Sequence, residues 1–131
     1  GADLSAAIAT AYGYSGLGIL IVSGVPNLMD ARNALLPLGS AFAALPEETR
    51  KAYERPESYY SVGWSHGKEQ LEGRPDTAKG SFYANPMADT PFTSTVTEEE
   101  ARLYPSYTTA NVWPATELPA LEGAFKELGA L

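Results

Sequence analysis

The 131-residue sequence contains no cysteine and a single histidine, His66. The first absence removes disulfides, zinc–thiolate sites and a thiol nucleophile from consideration. The second means that this chain cannot by itself supply a metal site built from two imidazoles and a carboxylate. Basic clusters are also missing, and the net charge is −7. Such a surface repels phosphate backbones, so no nucleic-acid partner is expected. The longest apolar run, Leu17 to Val22 with Gly18 inside it, is far too short to span a bilayer, and no membrane association is expected. Gly1-Ala2-Asp3 is not the basic start of a signal peptide, which makes the cytoplasm the expected compartment. No P-loop, dinucleotide fingerprint or Gly-x-Ser-x-Gly elbow occurs. The carboxylates Glu69, Glu72 and Glu98 to Glu100 lie in polar stretches, where water keeps them ionised and unsuited to acid–base work.

What remains describes a globular chain. It is 44% hydrophobic and 19% charged, and its length suits one domain over residues 1–131. The chain starts without methionine and ends inside an amphipathic pattern, so both ends read as cut and a longer parent protein is expected.

Leu4, Ala7, Ile8, Ala11 and Tyr12 recur at helical spacing behind Asp3, a good N-cap. Leu17 to Val22 is apolar on both faces and predicts a strand covered on both sides. A second helix is expected from Asn27, with Leu28, Ala31, Leu35, Leu38, Ala41 and Phe42 on one stripe and a kink or break at Pro37. A short helix should follow Pro46, acidic at its start and basic at its end. Tyr59 to Ser65 reads as a strand, 68–78 as a loop or hairpin connection, and Gly80 to Tyr83 as extended chain stopped by Asn85-Pro86. Thr97 followed by three glutamates opens a short helix, and Leu121, Ala124, Phe125 and Leu128 share one face of a last one. Three to five helices around a few strands make the expected fold class α+β.

Several short motifs occur in a telling order: a helix, a buried-type strand ending in Ser23-Gly24, a helix, and Phe42-Ala43-Ala44-Leu45-Pro46-Glu47-Glu48. Gly63-Trp64, Ser81-Phe82-Tyr83-Ala84-Asn85-Pro86, Trp113-Pro114 and Leu118-Pro119 follow. In combination this resembles the N-terminal region of the isopenicillin N synthase-like and 2-oxoglutarate-dependent non-haem iron dioxygenases. The resemblance implies helices and strands that flank a double-stranded β-helix, or jelly-roll, core largely missing from this chain. It implies an oxidoreductase that uses Fe(II), with 2-oxoglutarate as expected cosubstrate, and acts on a small-molecule substrate. The family's His-x-Asp pair, distant second His and Arg-x-Ser find no counterpart. His66 is followed by Gly67-Lys68, and no Arg-x-Ser occurs. No catalytic residue or metal ligand is therefore assigned here. Iron and cosubstrate are expected in the full-length protein, none is expected on this chain alone, and the downstream core is the expected partner. A non-catalytic interaction module of the same architecture is the alternative.

The resemblance also marks candidate substrate contacts. Ser61 and Ser65 flank Gly63 by two residues on either side, at positions that face the substrate in isopenicillin-type members. Ser61 stands where the penicillin-forming enzyme has an arginine, and a serine cannot fork a carboxylate, so that enzyme's peptide substrate is not expected. Alternation places both serines on the face opposite Trp64, either toward a cavity or toward water. Tyr83 either lines the pocket or is a half-buried tyrosine with a satisfied hydroxyl. His66 is either a substrate contact or an exposed loop histidine. Lys79 and Arg74 either hold an anionic group or are ordinary surface charge.

Overall fold

Proline and glycine set most of the element boundaries. The computed structural model describes residues 3–91 and 96–131. Helix α1 spans Ser5–Tyr12 with Leu4, not the expected Asp3, at the N-cap and no side-chain cap; the Asp3 carboxylate, one residue earlier, accepts a hydrogen bond from the Ser5 amide at 2.9 Å. Helix α2 runs Leu28–Ala43 without interruption through Pro37, where a kink or break was expected. Its buried positions, Ala31 and Phe42, lie on the anticipated stripe, and that packing outweighs the lost amide donor. Asn27 marks its start from the left-handed region, at φ 60°, and makes no side-chain cap. Helix α3 is Glu47–Lys51, held on its exposed side by Lys51 with Glu47 at 2.8 Å and Glu48 at 3.3 Å.

A 3-10 turn at Pro56–Ser58 leads into a coil that takes the place of the first part of the strand expected from Tyr59. Tyr59 and Tyr60 follow it with φ of 54° and 60°, so the chain coils there and β1 begins only at Gly63, spanning Gly63–His66. β2 (Gln70–Leu71) and β3 (Arg74–Pro75) form a small hairpin across Glu72-Gly73, both at positive φ. β4 (Gly80–Tyr83) pairs antiparallel with β1 in the register Gly63–Tyr83, Trp64–Phe82, Ser65–Ser81 and His66–Gly80. Helices α4 (Glu98–Leu103), α5 (Pro105–Thr108) and α6 (Leu121–Gly129) complete the described chain. α4 opens on a full Thr97/Glu100 capping box. The described residues thus form six α-helices, more than the three to five expected, and two small antiparallel sheets. The mixed α/β class holds, with no closed barrel among them.

Residues 17–22 do not form the expected strand. Leu17 is 89% and Ile21 85% exposed, and Gly18 turns through φ 71°. A strand requires a neighbour to take its amides and carbonyls. The two described sheets pair β1 with β4 and β2 with β3, and neither includes this run.

The core gathers where α2, α6 and the β1–β4 hairpin meet. Phe42 is fully buried, with Tyr53, Trp64 and Phe82 ring centroids at 5.6, 5.3 and 5.0 Å. Leu121 of α6 closes it, with Leu35, Leu38, Leu45 and Leu118 around the margin. A polar ladder ties the end of β4 to α6. Asn111 accepts from the Asn85 amide at 2.8 Å and donates back to the Asn85 carbonyl at 2.8 Å. Asp89 accepts from Lys126 at 2.5 Å, from the Trp113 indole at 2.7 Å and from Asn111 at 3.0 Å. These donors, Lys126 first, lower the Asp89 carboxyl to about 2.

A depressed carboxyl contributes stability that is complete above its unfolded value and lost as pH falls through its folded value. Asp89 should therefore help hold the fold down to about pH 4 and stop helping near about pH 2. Melting temperatures of the wild type and of Asp89→Asn should differ above that window and converge within it. A constant difference across the window would remove Asp89 from the acid limb.

Candidate functional site

The pairing of β1 with β4 sorts side chains onto two faces. Trp64 and Phe82 face the Phe42 core. The Trp64 ring crosses Gly80 so closely that a Cβ there would collide with its six-membered ring. Ser65, Ser81 and Tyr83 take the opposite face. Gly63 starts the strand at φ 76°, and a Cβ there would run into the Tyr53 carbonyl, which accepts from the Trp64 amide at 2.9 Å.

On that opposite face lies a cavity of about 380 Å³. Ser61, Ser65 and Tyr83 line it together, with Tyr59, Tyr60, Lys68 and Glu69. Ser65 is buried, while Ser61 and Tyr83 reach solvent. The Ser61 hydroxyl donates to the Ser106 carbonyl at 3.1 Å, and Ser106 donates to the Ser58 carbonyl at 3.0 Å, so α5 clamps the turn that forms one wall. The consecutive left-handed tyrosines stand in that wall. Each costs on the order of 1–2 kcal/mol relative to a helical residue, a strain of the sort that clusters at ligand clamps.

Charge around the cavity is paired. Lys68 meets Glu54 at 2.9 Å and sits 5.0 Å from the Tyr60 ring centroid. Lys79 meets Glu69 at 2.8 Å, and the Tyr83 hydroxyl donates to Glu69 at 3.5 Å. The Glu54 and Glu69 carboxylates raise the pKa of Lys68 and Lys79 respectively, which keeps both cationic. The Lys79 ammonium is thus already paired within the chain, and Arg74 lies on the exposed β3 strand. Hydroxyls, aromatic edges and compensated charge suit this cavity to a polar organic molecule, held by hydrogen bonds and ring contact.

His66 does not join the other three candidates. It follows Ser65 directly in the strand, so alternation sends it to the Trp64 face. Its ring stacks on Trp64 at 6.0 Å, and Nε2 lies 3.1 Å from the Thr77 carbonyl. Among the described residues no three His, Cys, Asp or Glu side chains are grouped to hold a metal ion. With one imidazole already set against a carbonyl, the residues present do not fit a facial iron site.

The sequence pattern does not mark Tyr59, Tyr60, Lys68 and Glu69 as cavity walls. The signal for the latter pair was the turn at Gly67, at φ 68°, which returns the chain beside Tyr83. No helix among the described residues is long and apolar enough to cross a membrane.

Compared with known proteins, residues 1–116 match a family model described as "non-haem dioxygenase in morphine synthesis N-terminal". No curated protein and no solved structure matches the chain.

Proposed function

The chain belongs to the family of non-haem dioxygenase N-terminal regions, and from that membership we propose that it walls the substrate pocket of an Fe(II)-dependent oxygenase. In this reading residues 1–131 form one domain of a longer protein, and a jelly-roll core beyond Leu131 supplies the iron ligands. The observation that carries the reading is the cavity on the free face of the β1–β4 hairpin, where Ser61, Ser65 and Tyr83 converge.

In the full protein Fe(II), with 2-oxoglutarate as the cosubstrate we assign to it, would activate O2 for the oxidation of an unactivated bond, the cosubstrate leaving as succinate and CO2. This chain contributes what such chemistry also needs. Ser65 and Ser61 offer hydroxyls that orient a small-molecule substrate. Tyr59, Tyr60 and Tyr83 offer ring surface that displaces water from it. Lys68, paired with Glu54, and Glu69, paired with Lys79, form a polar rim whose charge is compensated. His66, behind the sheet, acts on the pocket only by bracing Trp64.

The test uses the longer native polypeptide. It should convert 2-oxoglutarate to succinate only when Fe(II) is present. Ser65→Trp, which fills the cavity, should abolish the stimulation of turnover by substrate and leave substrate-independent succinate formation intact. A polypeptide without Fe(II)-dependent turnover contradicts the enzyme reading and favours an interaction module. Unchanged substrate stimulation in Ser65→Trp contradicts the pocket assignment.

A further inference from the structure

The opposite side of β1 carries a second cleft, about 250 Å³, between α3 and the Trp64–His66 edge. It is distinct from the cavity above, and the Lys68 side chain stands between the two. In a chain of net charge −7 its lining is net positive, with Arg50, Lys51 and Lys68 against Glu47 and Glu54. Both carboxylates are engaged. Glu47 pairs with Lys51 at 2.8 Å and Glu54 with Lys68 at 2.9 Å.

Arg50 is the remaining cation. Its guanidinium carbon lies 5.6 Å from the Trp64 ring centroid, and its Nε is buried without a hydrogen-bond acceptor among the described residues. A buried donor left open costs about 1–3 kcal/mol, more when it is charged, so a native structure keeps one where something else completes it. A guanidinium presents its donors in a planar fork that matches a carboxylate, and an indole within cation–π reach favours a cation at this place.

We propose that this cleft binds a small carboxylate anion on the Arg50 fork, with Lys51 at its mouth and the Trp64 and His66 rings as its wall. The site needs nothing from the oxygenase reading and stands or falls separately.

The Arg50 Nε–H resonance of the ¹⁵N-labelled 131-residue chain reports on it directly. Sodium acetate is titrated at constant ionic strength against sodium chloride, with inorganic phosphate as a second arm. A saturable shift with acetate is expected, weakened about tenfold or more in Arg50→Lys, which keeps the charge and loses the fork. Lys51→Gln should weaken it less, because Lys51 is already paired. Equal, unsaturating responses to acetate and chloride would reduce the cleft to ordinary screening and overturn the proposal. Saturation by phosphate alone would overturn the carboxylate assignment. The wild-type titration decides the matter even if a variant fails to fold.

Discussion

Phe42→Ala should destabilise the protein by about 3–5 kcal/mol, the usual cost of emptying an aromatic site in a packed core. Phe42 is fully buried and touches the Tyr53, Trp64 and Phe82 rings at once. The three partners come from a loop and from both strands of the sheet, so the void opens between elements rather than within one. Helix and sheet then lose the contact that orients them, and collapse cannot refill it without shifting the hairpin. Domains of this size are stable by about 5–15 kcal/mol, so a large part of the folded population is at stake. Urea unfolding of wild type and variant measures the change. A loss below about 1 kcal/mol would show that the aromatic cluster is not the centre of the fold.

Gly63→Ala should cost about 2–5 kcal/mol for a different reason. The position has φ 76°, which an L side chain adopts only under strain, and the new methyl would collide with the Tyr53 carbonyl. Relief requires moving β1 away from Tyr53. That movement breaks the 2.9 Å bond from the Trp64 amide and lifts Trp64 off Phe42. The substitution should therefore also blue- or red-shift the Trp64 emission in the fraction that stays folded. A stable Gly63→Ala protein with unchanged tryptophan emission would show that the close approach at Gly63 is not required. The glycine–aromatic pair read in the sequence as a motif thus has a steric cause: glycine lets the chain pass Tyr53, and tryptophan fills the space beyond.

Elements whose stability is local were legible in the sequence. α4 begins at Thr97 because its cap and its Glu100 partner are adjacent in the chain. α2 and α6 follow their apolar stripes. Elements that depend on a distant partner were less legible. Leu17 to Val22 has the composition of a covered strand, yet composition cannot supply the neighbouring backbone that pairing demands. The expected start of β1 at Tyr59 failed because Ser58 and Ser61, on either side of the two tyrosines, are tied to Ser106 of α5 through bonds spanning more than forty residues. Pro37 does not break the helix, since burial of Phe42 and Ala31 carries α2 past a residue that local rules read as a kink or break.

The candidate site was legible to the extent that strand alternation governs it. Ser65 and Tyr83 share a face because their positions in the β1–β4 register have the same parity, and His66 leaves that face for the same reason. Lys68 and Glu69 reach the cavity through the Gly67 turn, which no periodicity announces. The Asp89 ladder escaped the sequence reading as well, because its donors Asn111, Trp113 and Lys126 meet only after α6 docks.

Anaerobic Fe(II) titration of the 131-residue chain by calorimetry tests the central claim most directly, that this region shapes a reaction chamber without gripping the ion that drives it. The account predicts weak, non-stoichiometric heats that do not change in His66→Ala. A single tight site with one iron per chain, lost in His66→Ala, would contradict it.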